Sequence, residues 1–332
     1  MSTAETRAVP ELAADLQALR AGAAVAEPGL RTAVAVSGPD HRDWLDRLTS
    51  MPVKELPPGR AQWTTLMDAK GKLRADLRVL AAGAPDGLLL ELPASHHAAL
   101  LKLLDMYILR ERVTLADLAR SHRFLAVLGP QAGDALRAAG LLLPAEGEAL
   151  AAPGVPGVLV AARSRLFGAP GADLLVEAGA ADALAARLRE GGARAVSGQA
   201  LRIRRLEQGV PWFAEDLSDG VIPLEAGLDA DVSITKGCYP GQEVVARIKN
   251  LGQVARRLVA LSGAGEHPLT GGAALVGTGA REGQEAGKVS SGAVDPVARR
   301  TLGLGYVRRA FWEPGTVLRA GDAELTVAAL PA

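Results

Sequence analysis

The single cysteine of this 332-residue chain, Cys238, lies two residues after Lys236 and just before a segment with the pattern of a short helix over residues 242–249. Pro240 suits the first helical position, because its fixed φ fits there and its missing N–H needs no partner. A nearby cation and a helix N-terminus both favour the thiolate form of cysteine. The sequence therefore predicts a reactive Cys238 with Lys236 as the residue that activates it. The alternatives are a buried, inert cysteine and a lysine that only covers the surface.

Residues 236–243 read Lys-Gly-Cys-Tyr-Pro-Gly-Gln-Glu, a run with a rare residue near its centre. This run resembles the signature of the YgfZ family, which comprises folate-binding relatives of the glycine-cleavage T-protein that support iron–sulfur cluster proteins. The resemblance covers most of the chain, roughly from residue 30 onward, with a poorly matched middle. Other segments that resemble the family are residues 36–40, 68–72, 201–211, 222–226 and 311–316.

The resemblance implies a T-protein-like (GcvT-like) α+β fold, in which two interleaved α/β subdomains and a C-terminal β-barrel surround a central site for tetrahydrofolate. We expect the folate-binding region to span residues 1–250 and the barrel to span residues 251–332. The implied function is that of a tetrahydrofolate-binding accessory protein for the assembly or repair of iron–sulfur enzymes, with indirect effects on tRNA modification. Its partners would be folate and iron–sulfur client or assembly proteins. The alternative is a folate-dependent aminomethyl or C1 transferase.

Two carboxylates match family positions at the folate site. Glu207 matches a glutamate that recognises the pterin, and one carboxylate can accept both the amino group and a ring N–H of that base. Its alternative is a surface carboxylate or a salt bridge with the arginines at 202, 204 and 205. Asp76 matches a T-protein carboxylate that contacts folate and assists methylene transfer, or it is an ordinary outward-facing strand residue. T-proteins have two adjacent aspartates here, and Ala75 replaces one of them. They also commonly have an aspartate in place of Cys238, so both changes count against aminomethyltransferase chemistry.

Aromatic and basic residues complete the predicted folate site. Tyr239, Trp63 and Trp212 are candidates to stack on the pterin or aminobenzoyl ring, although a tryptophan in a strand commonly packs in the core. Arg247 has the charge and the fork geometry to bind the glutamate tail of folate. Its alternative is a helical ion pair with Glu243, four residues before it.

Composition narrows the remaining classes of function. Acidic and basic residues balance to a net charge of zero, which argues against direct nucleic-acid binding. The five histidines show no metal-ligand spacing, so we predict no metal site. One cysteine fits a reducing compartment, no secretory signal is visible and no segment reaches membrane-spanning length, which together predict a cytoplasmic protein. The acidic residues Asp216, Asp219, Asp229 and Asp231 are interpreted as loop content.

The elements that must position these residues mix strands with helices as far as residue 250. Beyond residue 252 short apolar runs alternate with glycine-rich turns, which is typical of an all-β barrel. Strands and helices followed by a small β domain indicate the α+β class. The predicted helices cover residues 11–21, 94–107 and 242–249, and the predicted strands cover residues 32–36, 63–67, 73–80 and 88–92.

Overall fold

The computed structural model describes residues 7–84, 86–252 and 254–330. Its α-helices are α1 (Val9–Ala21), α2 (His41–Leu48), α3 (His97–Met106), α4 (Ala132–Ala138), α5 (Ala178–Glu190), α6 (Gly198–Glu207) and α7 (Gln242–Leu251). Its strands are β1 (Ala24–Ala26), β2 (Arg31–Ser37), β3 (Ala61–Met67), β4 (Leu73–Leu80), β5 (Gly87–Pro93), β6 (Thr114–Asp117), β7 (His122–Leu128), β8 (Ala149–Ala151), β9 (Val158–Arg163), β10 (Gly171–Glu177), β11 (Arg194–Ala195), β12 (Arg256–Ala264), β13 (Ala274–Gly277), β14 (Glu285–Asp295), β15 (Arg300–Arg308), β16 (Val317–Ala320) and β17 (Ala323–Ala328).

Two sheets are built from interleaved parts of the chain. The N-terminal strand β1 joins a six-stranded sheet of order β11-β1-β7-β10-β9-β8. The chain then completes a separate five-stranded sheet of order β3-β4-β5-β2-β6 before it returns to the first sheet at β7. The predicted interleaving of two α/β subdomains is therefore present in the strand order.

Each sheet is covered by helices on one face and packs towards the other sheet with its second face. Trp44 and Leu45 of α2 and Leu104 of α3 lie in the core of the five-stranded sheet. The core of the six-stranded sheet includes residues of α4 and α5. Between the sheets, Leu89 of β5 and Leu175 of β10 belong to one apolar cluster. Polar side chains between the sheets must therefore find partners away from bulk water.

The strands β12 to β17 close a six-stranded barrel of order β12-β15-β14-β13-β16-β17. Helix α6 contacts β14 and β15, and Leu258 and Leu304 of the barrel share a core cluster with Leu16 of α1 and Leu201 of α6. The barrel is thus joined to the rest of the chain by an apolar contact. The predicted boundary between residues 250 and 251 falls near the end of α7 and stays a prediction.

Most predicted elements lie within observed ones. The predicted helix over residues 94–107 is divided into a 3-10 turn, Ala94–His96, and α3. Helix α1 begins at Val9, two residues before the predicted start, and Pro10 occupies its first turn, where a missing N–H needs no partner. Among the described residues, no helix is long and apolar enough to cross a membrane.

Candidate functional site

Asp76 lies on β4 in a buried ion-pair network between the two sheets. Both of its carboxylate oxygens accept a hydrogen bond from Arg31 Nη1 at 3.1 Å. Arg31 also donates to Glu91 at 3.0 Å, while Arg78 donates to Glu91 at 2.7 Å and to Asp173 of the other sheet at 2.9 Å. Two guanidinium groups thus serve three carboxylates, and burial raises the pKa of the Asp173 carboxyl.

Trp63 on β3 is surrounded by three arginines. The guanidinium carbons of Arg31, Arg78 and Arg165 lie 5.5, 4.9 and 4.2 Å from the centre of its ring. Arg165 belongs to the loop after β9 and also forms a paired, fork-like contact with Asp231, at 2.8 Å from Nη1 and 2.5 Å from Nη2. The indole and the Asp231 carboxylate therefore bind the same guanidinium group.

Glu207, the last residue of α6, lies in a second ion-pair network. Its carboxylate accepts hydrogen bonds from Arg204 at 3.1 Å and from the side chains of Arg20 and Arg300. Arg20 and Arg300 also contact Asp295, at the end of β14. The predicted salt-bridge alternative is therefore present for Arg204, and the pterin role of Glu207 stays a prediction. A pterin at Glu207 would have to displace arginine donors.

The two networks share no residue, so the structure does not bring Asp76 and Glu207 into one contact group. Two of the segments that resemble the family, residues 68–72 and residues 236–243, do contact each other. Gly241 has a left-handed backbone (φ 84°), and a Cβ at this position would lie 2.6 Å from the carbonyl oxygen of Asp68 and 2.8 Å from Cα of Gly71. The turn over residues 68–72 therefore packs directly against residues 236–243, the cysteine segment.

The prediction that Pro240 occupies the first helical position is wrong. Helix α7 begins at Gln242, and the left-handed Gly241 is its N-cap, so Pro240 lies before the helix. A left-handed N-cap turns the chain sharply and leaves the proline outside the helical hydrogen bonds. Glu243 lies in the first turn, where a carboxylate complements the helix dipole.

Cys238 is exposed, which excludes the buried, inert alternative. Lys236, by contrast, is turned inward: its side chain is 4% exposed. Its ammonium donates to the backbone carbonyls of Asp46 at 2.6 Å, Thr49 at 2.9 Å and Met51 at 3.1 Å, which together account for its three hydrogens. Burial lowers the pKa of Lys236, although the carboxylate of Asp46 attracts the charge. This geometry favours an anchoring role for Lys236 over activation of the thiol.

The other predicted ligand residues are divided between core and surface. Tyr239 is buried, its hydroxyl donates to the carbonyl of Ser233, and burial raises its pKa to about 12. Trp212 is also buried; its ring meets Phe167 edge to face at 5.9 Å, and its indole N–H donates to a backbone carbonyl at 2.7 Å. Both aromatic rings therefore have core partners. Arg247 is exposed on α7.

Two carboxylates that sequence analysis assigned to loop content, Asp216 and Asp231, are buried and form ion pairs in the fold. Asp216 accepts hydrogen bonds from Ser290 and Ser291 of the barrel at 2.6 Å and from Arg205 of α6 at 2.6 Å. Asp231 holds Arg165 over Trp63, as described above. Most of their partners lie 66 or more positions away along the chain. The exceptions are Arg205 and the backbone N–H of Trp212, 11 and 4 positions from Asp216.

Comparison with known proteins extends over nearly the whole chain. The model of the GCVT N-terminal domain matches residues 3–236, and the model of the glycine cleavage T-protein C-terminal barrel domain matches residues 256–330. An aminomethyltransferase of Rippkaea orientalis is 28% identical over 301 residues, which cover 86% of this chain and 78% of the relative. An aminomethyltransferase of Streptomyces avermitilis is 28% identical over 317 residues, covering 90% of this chain and 83% of the relative.

The fold has a close match among solved structures. The glycine cleavage system aminomethyltransferase T from Bartonella henselae superposes with a TM-score of 0.84 at 24% identity, covering 96% of this chain and 89% of that chain. The predicted α+β, T-protein-like fold with a closed C-terminal barrel is confirmed. Because models of both domains match in order and together span most of its length, this chain belongs to the glycine cleavage T-protein family.

Proposed function

We propose that this protein binds a reduced folate and transfers a one-carbon unit between an aminomethyl donor and that folate. The observation that carries this proposal is the similarity to proteins named aminomethyltransferase over 86% and 90% of the chain. It reverses the order of preference drawn from the sequence, in which the iron–sulfur role came first. The proposed cofactor is tetrahydrofolate, as the family resemblance implied.

In this reaction the carbon forms bonds to two nitrogens of the folate and breaks its bonds to the amine and to the carrier. The two N–H protons of the folate leave with the amine, as ammonia, and with the freed carrier. An aminomethyl group is cationic when protonated, so a carboxylate beside it favours its approach. Asp76 is suited to this role, since Arg31 fixes both of its oxygens and thereby its orientation. Ala75, which replaces the second aspartate of T-proteins, is buried in the apolar core of the five-stranded sheet. Asp76 would therefore act as the single carboxylate of this site.

The proposal is tested by binding and by turnover. Calorimetric titration with tetrahydrofolate should show saturable binding to the wild type, and incubation with an aminomethylated carrier protein should yield methylene-tetrahydrofolate and ammonia. We expect Asp76→Asn to lower turnover by at least about tenfold, while Asp219→Asn, at an exposed aspartate that pairs with Arg74, should leave it unchanged. Absence of folate binding at millimolar concentration would refute the proposal.

A second candidate function rests on the exposure of Cys238. Its octapeptide resembles the YgfZ signature, and we propose that the chain belongs to this branch of the family. One thiol cannot hold an iron–sulfur cluster, which usually requires four protein ligands, so Cys238 would act transiently with an assembly or client protein. The reducing cytoplasm is the compartment that fits an exposed, unpaired thiol. In a strain that lacks the protein, Cys238→Ala should fail to restore iron–sulfur enzyme activity, and full restoration would refute this role.

A further inference from the structure

The outer side of β6 is an uncovered edge of the five-stranded sheet. The strand order β3-β4-β5-β2-β6 places β3 and β6 at the two edges. The β3 edge is covered, because the N–H of Ser50 donates to the carbonyl of Thr65 at 3.0 Å. The N–H of Ala61 likewise donates to the carbonyl of Gly147 at 2.9 Å. Among the described residues, β6 pairs with β2 alone, so its other side presents backbone donors and acceptors to a further strand.

The register of β6 against β2 decides which backbone groups face this edge. Leu118, just after β6, donates its N–H to the carbonyl of Ala33 at 3.1 Å. Bonded and unbonded pairs alternate along an antiparallel ladder, so Ala116, two positions earlier, also bonds to β2. The N–H and C=O groups of Leu115 and Asp117 therefore point away from β2, towards the uncovered edge.

A groove of about 690 Å³ lies between this edge and α3. Its apolar lining consists of Ala98, Leu101, Leu115 and Ala119. At one end, Nε2 of His97 contacts the carboxylate of Asp117 at 2.9 Å. The start of α3 thus lies beside the end of β6, and the helix runs along the groove in the direction opposite to the strand.

The two ends of the groove carry opposite charges. Arg120 lines the end beside the start of α3, and Asp105, in the last turn of the helix, lines the other end. Both are exposed, and within the described part of the chain neither forms an ion pair. Lys102, between them, is exposed and keeps its ammonium in water. A twofold axis reverses one copy relative to the other, so it sets the positive end of each groove against the negative end of its neighbour.

We propose that this edge is the contact surface of a twofold dimer, in which β6 pairs antiparallel with β6 of a second copy and the two sheets form one sheet of ten strands. The outward groups set the register: Leu115 exchanges two hydrogen bonds with Asp117 of the second copy, and the symmetry repeats this exchange. Ala116 then lies opposite Ala116 of the second copy in an unbonded pair, where the Cα atoms are about 4.5 Å apart.

The grooves complete the contact. A four-residue strand is too short to bury the roughly 1,200–2,000 Å² of a specific interface, so the apolar lining beside each β6 strand supplies the remaining area. The surface includes none of Asp76, Glu207 and Cys238. The dimer is therefore independent of the proposed function, and failure of either leaves the other unaffected.

Sedimentation equilibrium over roughly 1 to 200 µM protein tests the dimer. We expect the molar mass to rise from that of the 34.2 kDa chain to twice this value. Ala116→Lys sets two like charges opposite each other and should leave a monomer; the side chain is exposed, so pairing with β2 is retained. Hydrogen exchange of the Leu115 and Asp117 amides should be slower in wild type than in this variant. A wild type that is monomeric at the highest concentration would overturn the proposal, whether or not the edge accepts a strand of a different protein.

Cross-linking tests the register. In a Cys238→Ala background, which removes the native thiol, Ala116→Cys places two thiols on Cα atoms about 4.5 Å apart, within the range that a disulfide spans. Diamide should convert this variant into a covalent dimer. Thr114→Cys is the matched control on the same strand, because its two copies would lie about 14 Å apart. Equal cross-linking of the two variants, or a dimer that survives Ala116→Lys, would overturn the proposed pairing.

Exchange of charges tests the twofold arrangement. Asp105→Lys and Arg120→Glu each set like charges against each other at both ends, so each should weaken the dimer dissociation constant by at least about tenfold. An equimolar mixture of the two variants should recover the dimer, since every end then meets its opposite charge, and so should the double variant. Melting temperatures show that each variant is folded. Continued weakness of both the mixture and the double variant would overturn the proposal.

Discussion

Replacement of Lys236 by methionine tests whether this buried ammonium anchors the cysteine segment. Its three hydrogens are donated to the backbone oxygens of Asp46, Thr49 and Met51, which lie at and just beyond the end of α2. Methionine keeps the length and the apolar stem of the side chain and donates no hydrogen bond. The substitution would therefore leave three carbonyl groups without a donor that the fold now supplies.

The expected loss follows from those contacts. A net contribution of about 1 kcal/mol per hydrogen bond amounts to about 3 kcal/mol for the three. Burial lowers the pKa of Lys236 because the charged ammonium loses hydration, and methionine removes this cost of burying a charge. We therefore expect the free energy of unfolding to fall by about 2–3 kcal/mol.

Urea unfolding followed by circular dichroism measures this change. Lys249→Met is the matched control, because Lys249 is an exposed lysine on α7, and its substitution should change the free energy of unfolding by no more than about 0.5 kcal/mol. Hydrogen exchange should also become faster in residues 233–241 of Lys236→Met. A loss of less than about 1 kcal/mol in the free energy of unfolding would refute the anchoring role.

Gly241→Ala should lower the free energy of unfolding in urea by at least about 2 kcal/mol, because the left-handed backbone and the Asp68 carbonyl both oppose a Cβ. Gly237→Ala, whose Cβ meets no described atom within 4 Å, should be nearly neutral. Equal losses for the two variants would contradict this reasoning. Burial raises the pKa of Tyr239 to about 12, so the contribution of the neutral phenol to stability is complete below pH 10 and is lost as the pH rises from 10 to 12, because the unfolded chain ionises first. The difference in free energy of unfolding between wild type and Tyr239→Phe should therefore shrink by about 1.4 kcal/mol per pH unit in that range. A constant difference would show that the phenol is not buried. Arg78→Met should cost about 3–5 kcal/mol, because Glu91 and Asp173 lose their shared cation, whereas the exposed Arg137→Met should lie within about 0.5 kcal/mol of wild type in the same assay.

The cysteine segment shows how far local sequence determines local structure. The helix over residues 242–249 is predicted from its pattern and is observed as α7, because periodic apolar residues and a glycine at its C-terminal end act over a few positions. The expectation that Pro240 occupies the first helical position is wrong. Proline and glycine both occur near helix starts, and only the contact with the turn over residues 68–72 requires the left-handed backbone at Gly241.

Charged residues show the opposite case. Sequence analysis could select Asp76 and Glu207 from their resemblance to family positions, and it gave the pairing of Glu207 with a neighbouring arginine as the alternative to pterin binding. It did not identify Arg31, Arg165 or Asp231, because their partners are 45 and 66 positions away and no local pattern joins them.

The sequence by itself determined part of the helices and strands, the resemblance to the T-protein-like class of fold and the segment that contains Cys238. These depend on periodicity and on short, specific runs of residues, which act locally. The tertiary structure decided which charged side chains have partners within the fold. It turned Lys236 inward onto three carbonyls and placed Arg165 between Trp63 and Asp231. The physical reason is burial, since a charged group removed from water must bind whatever acceptors or donors the fold brings to it from distant parts of the chain.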